Sequence, residues 1–152
     1  MKIWIDADAC PKAVKDIVIN ASVKRKINCV FVANQVFEIP ESELFTFQLV
    51  AKLPDAADHF IAKFAESGDL AITGDIPLAH ELVGKKILVI DHRGSVLTAE
   101  NINERLSIRD LMSDLRESGE VKGGPKPFGE KEKRLFASSF DRELTKLLKS
   151  AR

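Results

Sequence analysis

The sequence predicts an α/β domain built on a mostly parallel sheet with helices on both faces, followed by a C-terminal helical extension. Three observations carry that prediction. Short apolar runs of strand type alternate with segments in which apolar residues recur at helical spacing. The strands read as buried on both faces, as parallel strands are. The order β-α-β-β-α-β-α-β along residues 2–90 is the order that winds helices around a parallel sheet.

Element by element, residues 2–5 predict the first strand, short and apolar and ending in a polar turn at Asp6. Pro11 suits the first position of a helix, where its missing N–H would be unpaired anyway. Val14, Ile17, Val18 and Ala21 continue that helix, and Lys24, Arg25 and Lys26 sit at its negative end. Residues 27–33 predict a second strand, 34–43 a loop containing Pro40, and 46–53 a third strand. Pro54-Asp55 opens a second helix carrying Ala57, Phe60, Ile61, Phe64 and Ala65, which Gly68 ends. A fourth strand is expected over 70–73, a short helix with Pro77 over 76–83, and a fifth strand over 86–90.

The remainder differs in character. Residues 100–117 predict a helix with Ile108, Leu111, Met112 and Leu115 on one face. Residues 119–129 hold four glycines and two prolines and predict a loop. Residues 130–149 predict a last helix whose apolar side is Leu135, Phe136, Phe140, Leu144, Leu147 and Leu148. The 152 residues are read as a single domain, with a core over about 1–95 and the helical extension over about 96–152 packed on it.

Composition narrows the function classes. The chain is 45% hydrophobic, enough for a core without staples. Its 23 basic and 23 acidic side chains cancel, which argues against a protein that coats nucleic acid through its global field but leaves room for a local basic groove. Cys10 and Cys29 form no C-x-x-C pair and are expected to be reduced thiols. No stretch reaches eighteen apolar residues, and the opening Ile3-Trp4-Ile5 is too short for a signal peptide or a membrane span. A cytoplasmic protein with no membrane partner is therefore expected.

The chemistry-bearing pattern is acidic. Asp6 and Asp8 follow the first strand, two residues apart on extended chain, so both carboxylates can face one site. Ligands of parallel α/β sheets bind beyond the carboxyl ends of the strands. Thr73-Gly74-Asp75 lies at that end of the fourth strand, and Asp58, after the third strand, can reach the same edge. Like charges gathered there call for a counter-ion, and hard oxygen donors suit Mg²⁺ or Mn²⁺. Asp69 opens the strand that Asp75 follows, roughly 20 Å away at strand rise, so it is read as a turn residue. Asp55 is read first as a helix cap and second as a ligand, and Asp8 could equally serve as a turn former or cap. His59, His80 and His92 lack ligand spacing and are expected at the surface or bonded to partners. No G-x-S-x-G setting supports a nucleophilic triad.

At this point the residues resemble a known family. Ile3-Trp4-Ile5-Asp6-Ala7-Asp8-Ala9-Cys10-Pro11, Val32-Ala33-Asn34-Gln35, Asp55-Ala56-Ala57-Asp58 and the long run from Gly68 through Thr73-Gly74-Asp75 to Ala79 are similar to the YaiI/YqxD family of bacterial proteins. Arg93-Gly94, Glu100-Asn101-Ile102, Arg109, Leu115-Arg116 and Gly123-Gly124-Pro125 resemble it too. The core of that family is similar to PIN-like domains, which include metal-dependent ribonucleases. The resemblance implies that Asp6, Asp58 and Asp75, with Asp8 beside them, are the metal-binding and catalytic carboxylates. It departs in one respect: no glutamate in mid-domain takes the place that many active PIN nucleases fill, since Glu41 and Glu43 fall in a predicted loop.

The leading expectation is a Mg²⁺- or Mn²⁺-dependent phosphodiesterase acting on RNA, with DNA as second choice. Arg93, Arg109, Arg116 and Lys126 are the candidate contacts to the substrate backbone, set against ordinary solvation or pairing of the arginines with Glu104, Asp110 or Glu117. Two alternatives stand beside it. One is a non-catalytic metal- or RNA-binding module. The other is a haloacid-dehalogenase-type phosphomonoesterase with Asp6 as nucleophile and Asp8 as general acid, although Cys10 stands where Thr or Val is usual and the later acidic motif lacks its final acid at Ala79.

Overall fold

The computed structural model describes residues 1–119 and 127–150. Along them run β1 (Lys2–Asp6), α1 (Lys12–Arg25), β2 (Asn28–Ala33), β3 (Phe45–Leu49), α2 (Ala56–Phe64), β4 (Leu70–Ile72), α3 (Ile76–Gly84), β5 (Leu88–Ile90), β6 (Val96–Leu97), α4 (Ile102–Glu117) and α5 (Glu130–Ser150). The strands form one sheet in the order β3-β2-β1-β4-β5-β6. The first five are mutually parallel, and β6 returns antiparallel to β5. The fold class is thus the mostly parallel α/β sheet that the alternating apolar runs predict.

Successive strand residues point to opposite faces, and the two cores follow that alternation. Ile3 and Ile5 of β1 with Cys29 and Phe31 of β2 meet Val14 and Val18 of α1 and Phe136, Phe140 and Leu144 of α5. Trp4, Val30 and Val32 face the other way, against Ile61 of α2, Leu78 and Leu82 of α3 and Ile102 of α4. Phe136 and Phe140, one helical turn apart, stack with ring centroids 5.4 Å apart. Fully burying each such side chain stabilises the fold by roughly 1.5–3 kcal/mol, so α5 closes one face of the sheet.

Several boundaries differ from expectation, each for a local reason. The third strand stops at Leu49 instead of 53, because β2 ends at Ala33, whose carbonyl accepts the last bond from the Val50 N–H at 2.8 Å. The fifth strand begins at Leu88, since Lys86 takes a left-handed φ of 63° that extended chain cannot hold. The two-residue β6 is too short to register as a pattern. The apolar face expected on α4 is not buried: Ile108 and Leu111 are half exposed, and Ile102 alone on that helix reaches the core. Gly123, Gly124, Pro125 and Lys126 lie outside the described residues.

Two ends of the sheet have different roles. At the amino ends of the strands, buried Asp69 accepts hydrogen bonds from the Lys2 and Glu66 amides and from the Trp4 indole, each 2.9 Å. This is the wrong end for the other acids, as strand rise predicts. At the carboxyl ends, the chain turns one way from β1 to β2 and β3, and the other way to β4 and β5. The crevice between β1 and β4 is the switch point where such sheets bind ligands. Among the described residues, no helix is long and apolar enough to cross a membrane.

Candidate functional site

Asp6 ends β1 and Asp75 follows β4, so the pairing of Ile5 with Ile72 brings them to the same edge of the sheet. Thr73 joins them. Its hydroxyl donates to Asp6 Oδ2 at 3.0 Å and accepts from the Asp75 N–H at 3.0 Å. Asp75 then caps α3, its Oδ1 accepting from the Leu78 N–H at 2.9 Å. These bonds fix both carboxylates without help from long side chains.

A second group of acids converges on Asp75. One carboxylate oxygen from each of Asp55, Asp58 and Asp75 lies within 4.8 Å of the others. Asp55 precedes α2 in the left-handed region at φ 63° and makes no side-chain cap bond. Asp55 thus occupies the cap position expected from sequence, but its side chain makes no cap bond and lies by Asp58 and Asp75 instead. Burial, a hydrogen bond shared with Asp75, and the charges of Asp75, Asp6 and Asp55 push the Asp58 carboxyl up to about 8. Burial also raises Asp6, against the lowering effect of the Thr73 hydroxyl, and Asp75 and Asp8 add repulsion. A raised carboxyl in a group of like charges marks a place that a cation would relieve.

Two cavities meet at Asp75. The larger, about 460 Å³, is lined by Asp6, Ala9, Gly74, Asp75, Asp91, His92 and Arg93. The smaller, about 220 Å³, runs between Asp55, Asp58, His59 and Asp75 on one side and Glu81 and Arg109 on the other. Each cavity thus has carboxylates and one arginine in its lining. Arg93 lies 3.5 Å from Glu132, and Arg109 pairs with its neighbour Asp110 at 3.0 Å.

Not every expected residue arrives. Asp8 is exposed and lines neither cavity. Its Oδ2 accepts from the Asn34 N–H at 2.8 Å, bracing the turn after β2 and not capping α1. Arg116 is exposed near the end of α4 and lines neither cavity. Lys126 lies outside the described residues. Conversely, Asp91 and His92 line the larger cavity without having been singled out from sequence for a site. They follow β5 directly, so the strand-end rule that finds Asp6 and Asp75 reaches them too. Burial lowers the His92 imidazole, and its Nε2 has no hydrogen-bond partner among the described residues.

With this geometry in place, the comparison with known proteins is direct. The profile described as "Uncharacterized BCR, YaiI/YqxD family" matches residues 4–146. The chain belongs to the YaiI/YqxD family. It is 50% identical over 149 residues to a UPF0178 protein of Syntrophobacter fumaroxidans, covering 98% of this chain and 97% of that protein. A UPF0178 protein of Myxococcus xanthus is 48% identical over 150 residues, 99% of this chain and 98% of its own length. UPF0178 protein PA5247 of Pseudomonas aeruginosa is 43% identical over 151 residues, 99% and 94% of the two chains. No solved structure matches the chain. The matched span of the YaiI/YqxD profile takes in both cavities, and the Gly68–Ala79 run that carries the resemblance covers β4, the Thr73 relay and the start of α3.

Proposed function

We propose that this YaiI/YqxD protein is a Mg²⁺- or Mn²⁺-dependent phosphodiesterase acting on RNA, with DNA the second candidate. The observation that carries the reading is the convergence of Asp55, Asp58 and Asp75 to within 4.8 Å, beside Asp6 and facing two arginines. The donor set fits the ion: it is all oxygen, it is crowded enough to hold Asp58 near pKa 8, and an added cation would remove the repulsion. Asp55, Asp58 and Asp75 would hold the metal, with Asp6 next to it. When bound, such an ion lowers the pKa of a water and offsets charge on a phosphate.

The chain's own residues account for the rest. Arg93 and His92 form the wall of the larger cavity opposite Asp6 and Asp75, where the oxygens of a phosphodiester need donors. Arg109 offers the same to the smaller cavity. Cavities lined by both carboxylates and a guanidinium suit a metal-bound phosphate ester better than a neutral ligand. The preference for RNA rests on the sequence resemblance alone, which implies a PIN-like core.

The phosphomonoesterase reading needs Asp8 as general acid. The bond from Asn34 and the exposure of Asp8 away from both cavities tell against it. A non-catalytic metal-binding module keeps the same pocket and is separated by chemistry alone. The test is Mn²⁺ titration by calorimetry into wild type, Asp58→Asn and Asp75→Asn, with end-labelled single-stranded RNA incubated alongside. Metal binding and scission in wild type, both lost in the variants, support the proposal. Binding without scission gives the module, and no binding withdraws the metal altogether.

A further inference from the structure

We propose that Glu132, in the first turn of α5, is a positioning residue that holds Arg93 on the wall of the larger cavity to receive a substrate phosphate. The proposal rests on the phosphodiesterase reading and names a part of the chain remote in sequence from the acidic group.

Arg93 faces a problem of its own surroundings. It shares the larger cavity with Asp6, Asp75 and Asp91, and a flexible guanidinium among carboxylates is drawn onto them. An arginine collapsed in this way neutralises the cluster and is lost to an incoming phosphate. An acid on α5 also faces Arg93. Glu132 Oε1 lies 3.5 Å from Arg93 Nη1, with the Arg93 side chain 37% exposed and that of Glu132 21% exposed. Glu132 is itself fixed, its Oε2 accepting from the Gly129 N–H at 2.9 Å. That backbone bond, with the charge of Arg93, holds the Glu132 carboxyl low and ionised.

The backbone under Arg93 is held by its own turn and packs closely against the same helix. Asp91 Oδ1 accepts from the N–H groups of Arg93 and Ser95, both at 2.9 Å, which closes the turn. Gly94 stands at φ +90°, so close to α5 that a Cβ there would lie 2.6 Å from the Leu135 carbonyl oxygen. Phe136, the next residue, is fully buried in the sheet core. Both the main chain and the guanidinium of Arg93 are therefore referenced to α5, and through Phe136 to the sheet that carries Asp6 and Asp75. A surface ion pair placed for stability alone would not need this double anchorage.

The test uses the full chain, Mn²⁺ and end-labelled single-stranded RNA. Glu132→Gln keeps an amide oxygen for Gly129 and replaces the carboxylate oxygen facing Arg93 with an uncharged NH2. It is expected to raise KM about threefold, the range of a partly exposed ion pair, leaving kcat and Mn²⁺ affinity unchanged. Arg93→Ala is expected to raise KM about tenfold, the loss of a charge-assisted hydrogen bond. The double variant should match Arg93→Ala, because Glu132 acts only through Arg93. An unchanged KM in Glu132→Gln, or a further loss on the Arg93→Ala background, overturns the proposal while leaving the phosphodiesterase reading intact. A wild type that cleaves no RNA removes both.

Discussion

The Thr73 hydroxyl bonds Asp6 of β1 and the Asp75 amide at once, 3.0 Å to each, and so ties the two strand ends across the switch point. Thr73 is fully buried, while its partners Asp6 and Asp75 are partly exposed at the larger cavity. Thr73→Val keeps the shape and deletes the donor. It is expected to cost about 1–3 kcal/mol of stability, the penalty for leaving buried polar groups unpaired. It should also weaken Mn²⁺ binding about tenfold through misplaced carboxylates. Thr73→Ser, which retains the hydroxyl, should recover most of both in chemical denaturation and calorimetry.

Asp69 provides the opposite case, an acid with structural work and no place in the site. It accepts from Lys2, Trp4 and Glu66 at the amino ends of the strands. Asp69→Ala strands three donors and is expected to destabilise by about 2–5 kcal/mol. Urea unfolding followed by the fluorescence of Trp4 reports it directly. Mn²⁺ affinity measured below the unfolding transition should stay at the wild-type value.

How much of this was legible in the sequence follows from which residues the strand pattern fixes. Asp6 and Asp75 were found because an acid directly after a parallel strand has only one edge to occupy. Asp69 was set aside by the same strand arithmetic. Asp55 was read first as a cap, and it holds that position without the side-chain bond; its left-handed φ is a feature no spacing reveals in a non-glycine residue. Asp8 obeyed the two-residue rule only on paper, since the chain has already left the strand at Ala7 and turns Asp8 toward Asn34. The link from Glu132 to Arg93 spans a long sequence separation and arises only when α5 docks beside the turn after β5.

The acidic group also sets a pH dependence for the metal-free protein. The Asp58 carboxyl sits near 8 when folded and at the ordinary 3.8 when free, so the folded state holds a proton that the unfolded chain has lost between those values. Stability contributed by that proton is full below about pH 4 and is lost as pH rises through 8. Asp58 is partly exposed, and after solvent screening the change is expected to be about 1–2 kcal/mol. In EDTA, thermal melts of wild type should fall from pH 5 to pH 8. Asp58→Asn should flatten that slope, and saturating Mn²⁺ should reverse it.

Gly94 tests the docking of α5. A Cβ at φ +90°, 2.6 Å from a backbone oxygen, cannot be absorbed by a side-chain shift. Gly94→Ala is expected to destabilise by about 2 kcal/mol or more, from backbone strain and displacement of the helix start. Denaturant midpoints give the stability change. RNA cleavage by the still-folded fraction should show a raised KM, because Arg93 moves with the turn.

The most direct measurement is calorimetric titration of Mn²⁺ into wild type and Asp75→Asn, paired with end-labelled RNA under the same conditions. Asp75 is the residue common to both cavities and to the carboxylate group. The account predicts saturable Mn²⁺ binding and metal-dependent scission by wild type, with both abolished in Asp75→Asn while its melting temperature stays close to that of wild type. Equal Mn²⁺ binding by the two proteins, or none by either, would contradict it and return the acids at the switch point to the role of turns and caps.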